Sequence, residues 1–160
     1  MSHRVGHGFD THRLVSGRPL LLGGIVVPYD RGLEGHSDGD CVLHAVCDAL
    51  LGAAAAGDMG QHFPSSDPRW KGASSRLFLE EVSRLLRDRG FVVENVDVTV
   101  VAQAPALAPH LGKMRETLVS LLGLSQEAVS VKAKSTDGLG AIGRGEGIAA
   151  QAVALLRRPE

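Results

Sequence analysis

The sequence is poor in aromatic side chains and in cysteine. Phe, Tyr and Trp make up 4% of the 160 residues, so a core must be built mainly from Val, Leu and Ala. Small side chains bury less area each, which leaves burial between subunits as a further source of stability. The two cysteines, Cys41 and Cys47, are predicted to lie on different faces of one helix, so a disulfide between them is disfavoured.

The sequence also lacks an excess of charge, a secretory leader and a long apolar run. Its formal net charge of −1 gives no reason to expect nucleic acid or an anionic membrane as a partner. No apolar run approaches the ~20 residues that cross a bilayer, and the N-terminus enters a strand with His and Asp rather than a signal peptide. We therefore expect a cytoplasmic protein with a single domain over residues 1–160.

The order of the predicted elements is typical of an α+β fold. Apolar periodicity and turn residues predict helices over 40–56, 74–88 and 109–122, strands over 4–9, 92–102, 129–133 and 148–156, and a hairpin over 20–28. Ser37 or Asp38 is expected to cap the first helix, and Gly57 to end it. This order predicts a mixed β-sheet with helices packed on one face. The loop over 57–75 is long enough to indicate a function.

Two separated segments carry a candidate metal site. Asp10 and His12 are two residues apart on a predicted strand, so both side chains face the same way. His44 lies in the first predicted helix and can join them only through the fold. Two imidazoles and a carboxylate suit Zn²⁺, although Mn²⁺ or Fe²⁺ could occupy such a set. The alternative is a surface Asp-His pair and a core histidine satisfied by hydrogen bonds.

The first helix carries a polar stripe at Asp40, His44 and Asp48, spaced four residues apart. Polar groups that face a core need partners. We expect Asp40 or Asp48 to orient an imidazole of the metal site by a hydrogen bond.

Three further runs are candidates for phosphate or sugar binding. Residues 35–40 open the first helix, whose N-terminus attracts anions, and His36 and Ser37 could add donors there. Residues 132–138 offer lysines, hydroxyls and glycines that can cradle a diphosphate, and Asp137 could hold a hard divalent cation. Asp58 could accept hydrogen bonds from sugar hydroxyls. Helix capping and ordinary turns explain each run equally well when it is taken alone.

Taken together, these runs resemble one family, the 2-C-methyl-D-erythritol 2,4-cyclodiphosphate synthases of non-mevalonate isoprenoid biosynthesis. The resemblance covers about residues 4–156 and is carried by GHGFDTH at 6–12, HSDGD at 36–40, GDMGQHFPSSDP at 57–68, AQAP at 102–105 and GRGEGIA at 143–149. It implies a homotrimer with active sites between subunits. It also implies a metal-dependent phosphorus–oxygen lyase. That enzyme converts 4-diphosphocytidyl-2-C-methyl-D-erythritol 2-phosphate to the 2,4-cyclodiphosphate and CMP, by attack of the 2-phosphate on the β-phosphorus.

The resemblance implies a role for each matching residue. Asp10, His12 and His44 would hold one Zn²⁺ per subunit, and Asp137 a second metal, Mg²⁺ or Mn²⁺, with the diphosphate. His36 and Ser135 would be the catalytic residues. Contacts to the nucleotide-diphosphate substrate are implied for Asp10, His12, His36, Ser37, Asp58, Gly60, Phe63, Ser65, Ser66, Asp67, Ala102, Pro105, Ala108, Lys134, Ser135, Thr136, Asp137, Ala141 and Arg144.

Within this set, residues 63–67 would form a mobile loop over the methylerythritol phosphate, residues 102–108 would enclose cytosine, and residues 134–137 would bind the diphosphate. Several positions depart from the family pattern. They are Ser65 where Asp is common, Lys134 and Ser135 where Thr is common, Asp137 where Glu occurs and Ala141 where a larger residue can occur. The departures concern substrate contacts and leave the three zinc ligands intact.

Two other functions remain open at this point. Three ligands with a free position would also suit a metal-dependent phosphohydrolase, although no separate base for water is obvious. A non-catalytic trimeric binding module would instead hold a structural zinc. Structural zinc sites usually have four protein ligands, so His7 as a fourth ligand would favour that interpretation.

Overall fold

The computed structural model describes residues 2–159 and is built around a five-stranded sheet. The strands are β1 (Ser2–Ser16), β2 (Leu20–Leu22), β3 (Ile25–Val27), β4 (Arg31–Leu33), β5 (Val92–Val101), β6 (Val129–Lys134) and β7 (Gly147–Arg158). The large sheet has the order β4-β1-β7-β5-β6, and β2 pairs with β3 as the predicted hairpin. β5 and β6 are parallel and the other neighbours antiparallel, so the predicted mixed sheet is confirmed.

Three long helices cover one face of this sheet, as predicted: α1 (Cys41–Ala53), α3 (Ser75–Asp88) and α4 (Leu111–Leu122). Two short helices, α2 (Met59–His62) and α5 (Gly140–Gly143), lie in the connecting segments. Side chains of α1, α3, α4 and alternate strand residues form one buried cluster. The opposite face leaves Val5, Phe9 and Val153 exposed. Within residues 2–159, no helix combines the length and the apolar character that a membrane crossing requires.

The ends of α1 differ from the prediction. Asp40, rather than Ser37 or Asp38, is the N-cap, because its carboxylate accepts from the backbone N–H groups of Val42 and Leu43. The helix ends before Gly57, where Ala55 adopts a left-handed φ of 51°. The cap is local, and the several acidic residues before the helix could not be ranked from spacing alone.

Some elements were not predicted. β1 extends seven residues past its predicted end at Phe9, since it pairs with β7 along nearly its whole length. The short elements β4 and α5 lie outside the helices and strands predicted from the sequence, and the 57–75 loop contains α2 and a 3₁₀ turn at Pro68–Trp70. These short pieces are held by pairing and packing with distant residues, which local periodicity does not record.

Candidate metal centre and substrate pocket

Two glycines let α1 lie directly on β1. A Cβ at Gly8 would be 1.9 Å from the carbonyl oxygen of Ala45, and a Cβ at Gly6 would be 1.9 Å from that of Ala49. The helix backbone therefore touches the strand backbone, and no larger residue fits at either position. His44 precedes Ala45, so this contact places its ring over the end of β1 where Asp10 and His12 lie.

The three predicted ligands converge as the sequence indicated. Asp10 Oδ2 is 2.8 Å from His12 Nε2 and 2.9 Å from His44 Nδ1, and the two ring nitrogens are 3.3 Å apart. Asp10, His12 and His44 each offer one ligand atom, and the three atoms lie within 4.8 Å of one another. Among residues 2–159, no other group of three His, Cys, Asp or Glu residues converges in this way. All three residues are partly buried, so the site faces a pocket rather than the core.

The protonation of the three groups favours a cation between them. The second nitrogen of His12, Nδ1, is 2.5 Å from the carbonyl oxygen of Glu34. That oxygen can only accept, so Nδ1 carries the hydrogen and Nε2 turns a lone pair toward Asp10. A carboxylate oxygen and a ring lone pair in contact repel each other unless a metal or a proton lies between them. The donor set therefore fits a divalent metal of the zinc type.

The contact between Asp10 and His12 shifts the pKa values of both groups. Burial would raise the pKa of Asp10, but hydrogen bonds and charge interactions with His12 and His44 outweigh it and lower the pKa to about 2. Burial would lower the pKa of His12, but the hydrogen bond and charge of Asp10, with help from the Glu34 carbonyl, raise it above its usual range. Without a metal, a proton on His12 Nε2 would lie between that nitrogen and the Asp10 carboxylate.

The expectation that Asp40 or Asp48 orients an imidazole is wrong. The buried Asp40 carboxylate accepts from backbone N–H groups of its own helix and of Gly23 and Gly24. Asp48 accepts from the N–H of Met59 at 2.8 Å. Both carboxylates are used to hold backbone, which helical spacing could not reveal. His44 Nε2 instead lies 2.8 Å from Ser75 Oγ.

A cavity of about 160 Å³ opens beside the metal ligands. Its aromatic wall consists of Phe63, Trp70 and Phe78, with Phe63 stacked on Phe78 at a centroid distance of 4.6 Å. Sequence reasoning missed Met59, Trp70 and Phe78 as lining residues, because their helical or turn positions look like ordinary core. The complete lining is His12, His36, Ser37, His44, Met59, Phe63, Ser65, Trp70 and Phe78.

The remaining loop residues lie near this cavity in sequence but have local partners. Asp58 caps α2 by accepting from Gln61 N at 3.0 Å, and Gly60 lies exposed in that helix. Asp67 accepts from Arg69, and Ser66 is exposed. The polar side chains of Asp58, Ser66 and Asp67 are therefore partly accessible to a ligand, although the two carboxylates already accept hydrogen bonds from neighbouring residues.

The predicted diphosphate and cytosine segments form a second cluster. Ala102 N donates to Lys134 O at 2.9 Å, and Gly138 N donates to the side-chain oxygen of Gln103 at 3.1 Å. Ser135 Oγ donates to Asp137 Oδ1 at 3.1 Å, and Asp137 has a left-handed φ of 51°. Within residues 2–159, no hydrogen bond links this cluster to Asp10, His12 or His44.

Other residues of the predicted site are distributed around these two clusters. Pro105 follows Ala104 through a cis peptide bond, and Ala108 begins a 3₁₀ turn. Thr136 Oγ1 donates to Leu139 O at 2.7 Å. Ala141 lines a separate cavity of about 190 Å³ that His12 also borders. Arg144 is exposed and paired with Glu146 at 2.6 Å.

His7 does not complete the metal site. Along β1, residues 6, 8, 10, 12 and 14 face the helices, and His7 lies exposed on the other face. The fourth protein ligand expected of a structural zinc site is therefore not supplied by His7.

The fold and the site define a class of metalloenzyme: an α+β protein with an open three-ligand site at the mouth of a pocket. The chain belongs to the YgbB family, whose model matches residues 3–157. It is 57% identical over 157 residues to the 2-C-methyl-D-erythritol 2,4-cyclodiphosphate synthase of Laribacter hongkongensis, covering 98% of this chain and 97% of the relative.

Solved structures of the family share the fold. A 2C-methyl-D-erythritol-2,4-cyclodiphosphate synthase in a CDP-bound form is 40% identical, with a TM-score of 0.89 over 96% of this chain and all of that one. The bifunctional IspDF from Campylobacter jejuni is 38% identical, with a TM-score of 0.95 over 99% of this chain. This chain spans 43% of that longer protein. The family expected from the motifs is confirmed, and the chain is an enzyme of that family.

Proposed function

We propose that this chain converts 4-diphosphocytidyl-2-C-methyl-D-erythritol 2-phosphate to 2-C-methyl-D-erythritol 2,4-cyclodiphosphate and CMP. The observation that carries the proposal is the match to a named synthase over nearly the full length of both chains, with the three converging ligands in place. The 2-phosphate of the substrate is the nucleophile, and CMP is the leaving group. The enzyme is thus a metal-dependent phosphorus–oxygen lyase of the non-mevalonate pathway.

Asp10, His12 and His44 hold a zinc ion in this proposal. When bound, Zn²⁺ supplies positive charge that polarises a phosphate oxygen and orients the phosphorus under attack. His36 and Ser37 border the pocket beside the ligands, which supports their assignment to the phosphorylated methylerythritol. Phe63, together with the loop to Asp67, covers this part of the substrate and limits access of water.

The second cluster binds the nucleotide half of the substrate. Lys134 to Asp137 contact the diphosphate, Ser135 acts with His36 on the transition state, and Asp137 holds Mg²⁺ or Mn²⁺. Residues 102–108 enclose cytosine, and the hydrogen bond between Gln103 and Gly138 supports one continuous nucleotide site. Asp58 and Gly60 meet the methylerythritol part of the substrate or the ribose from the adjoining subunit, and Arg144 lies near the phosphates or the trimer axis.

The proposed active form is a cytoplasmic homotrimer in which each subunit contributes one catalytic domain over residues 1–160. Two observations support assembly. The open face of the sheet exposes Val5 by 68%, Phe9 by 52% and Val153 by 41%, and exposed apolar patches mark interfaces. Among residues 2–159, no hydrogen bond joins the metal cluster to the nucleotide cluster, as expected if each active site lies between subunits.

A ³¹P NMR assay of the purified protein with Zn²⁺ and Mg²⁺ tests the reaction. We expect a cyclic diphosphate and CMP in equal amounts, and no product after treatment with a chelator. His44→Ala should lose both zinc and activity, whereas the matched variant His3→Ala, at an exposed position on β1, should retain them. Linear phosphates would instead identify a phosphohydrolase. A metal-loaded protein that releases no CMP would refute the proposal.

A further inference from the structure

A short chain of hydrogen bonds runs away from the metal site into the protein. His44 Nε2 lies 2.8 Å from Ser75 Oγ. Ser75 Oγ in turn donates to Asp38 Oδ1, and Ser75 N donates to Asp38 Oδ2 at 2.8 Å. Ser75 is fully buried at the first turn of α3, so no water competes for its hydroxyl.

The single hydroxyl hydrogen of Ser75 decides the direction of these bonds. An ionised carboxylate can only accept, so the hydrogen points at Asp38. Ser75 Oγ then has lone pairs left for His44, and His44 Nε2 must be the donor. A neutral imidazole with its hydrogen on Nε2 has an unprotonated Nδ1. That Nδ1 is the atom 2.9 Å from Asp10 Oδ2.

Ser37 is a weaker candidate for the same task. Its Oγ lies 3.3 Å from His44 Nε2 and also accepts from Gly39 N at 3.4 Å. Both distances are long for hydrogen bonds to a hydroxyl, and Ser37 borders the substrate pocket. Ser75 has the shorter contact and a carboxylate partner behind it.

We propose that Ser75 and Asp38 are positioning residues that hold His44 in the Nε2–H tautomer and direct its Nδ1 lone pair toward Asp10 and His12. The inference rests on the proposed metal ligation but does not require the proposed reaction. The Glu34 carbonyl has the corresponding role for His12, because it accepts from Nδ1 and holds that ring in its Nδ1–H tautomer. Each histidine ligand is thus locked through its outer nitrogen, an arrangement that raises the affinity of metal sites.

The same contacts connect the metal site to the 63–71 loop, which carries Phe63, Ser65 and Trp70 of the cavity lining. Asp38 N donates to Ala73 O at 3.0 Å, and Gly72 N donates to His36 O at 2.8 Å. The segment before α1 and the segment before α3 are therefore joined at the point where Asp38 meets Ser75. A disturbance of Ser75 should loosen the metal ligand and the base of the 63–71 loop together.

Ring ¹⁵N NMR of the wild-type protein gives the first test. In the zinc-loaded protein, where the metal lies between Asp10 and the two rings, we expect His44 to show a protonated Nε2 and a metal-bound Nδ1. A spectrum with the hydrogen on Nδ1 would overturn the proposal directly, and this measurement needs no variant to fold.

Zinc affinity, measured by competition with a chromophoric chelator, gives the second test. Ser75→Ala should bind zinc about 10–100-fold more weakly, because it removes the acceptor for His44 Nε2. Ser74→Ala is the matched control: it removes the neighbouring exposed hydroxyl that caps α3 and should bind within twofold of the wild type. Equal zinc affinities in the two variants would refute the role of Ser75.

Asp38→Asn provides a second variant with nearly unchanged volume. Its amide can donate to Ser75 Oγ, which frees the Ser75 hydrogen to point at His44 and favours the wrong tautomer. We expect weaker zinc binding and a ¹⁵N signal for protonated Nδ1. An Asp38→Asn protein with the wild-type tautomer and affinity would contradict the proposal. Failure of wild-type protein to bind zinc would refute both the metal site and the positioning role, whereas zinc binding without formation of the cyclic product would refute only the proposed reaction.

Discussion

Gly8→Ala tests whether backbone contact between α1 and β1 sets the geometry of the metal site. The new Cβ would be 1.9 Å from Ala45 O, whereas ordinary contact begins at 3.4 Å, so helix and strand must separate by about 1.5 Å. Overpacking of this kind costs about 1–3 kcal/mol, and more where backbone must move. His44 travels with Ala45, and metal ligands tolerate errors of only about 0.2 Å. We expect a large loss of both stability and zinc affinity.

Urea unfolding at fixed protein concentration and zinc competition measure the two effects. Gly112→Ala is the control, since a Cβ there meets nothing within 4 Å and replaces a helical glycine. That change should stabilise the protein by about 0.5–1 kcal/mol without altering zinc binding. If Gly8→Ala unfolded at the wild-type urea concentration and bound zinc normally, the backbone contact would not determine the site. Loss of stability alone, with normal zinc affinity, would show that His44 adjusts independently of α1.

Three further outcomes are expected. Asp40→Ala should lower the free energy of unfolding by at least about 3 kcal/mol in urea titrations, because four backbone N–H groups lose a buried carboxylate. In the metal-free protein, the urea concentration at the unfolding midpoint should decrease as the pH is lowered from 4 toward 2, because Asp10 is protonated near its lowered pKa of about 2. The same midpoint should also decrease as the pH rises above 6.5, because His12, whose pKa is raised, loses its proton. Asp10→Asn should remove both trends. Replacement of the exposed Arg84 by Ala should leave the thermal unfolding midpoint nearly unchanged despite its two ion pairs, because water screens exposed charges.

Sequence patterns were sufficient for the parts of the site that depend on periodicity. Asp10 and His12 share a face because strand residues alternate, and that alternation extends through the whole of β1. His44 was predicted to join them because a polar residue on an apolar helix needs a partner. The family motifs then supplied the roles that periodicity cannot assign.

Details that depend on one hydrogen bond could not be predicted. Asp40 and Asp48 have the helical spacing of residues that orient His44, yet both bind backbone N–H groups instead. The actual partner, Ser75, lies 31 residues further on at the start of another helix. Its sequence context is an ordinary Ser-Ser helix start, typical of capping. Only the packing of α3 beside α1 brings it to the imidazole.

The glycine contact between α1 and β1 separates the zinc affinity of the protein from its thermal stability, two properties that usually change together. The position of His44 is set by peptide atoms of α1 against Gly6 and Gly8. The large side chain of Leu50 comes six residues after His44, which places it about 120° around the helix from the imidazole, and it is fully buried. Libraries that vary Leu50 should therefore yield proteins with a wide range of melting temperatures and nearly constant zinc affinity. Engineers could adjust heat resistance on one side of this helix while leaving the chemistry on its other side unchanged.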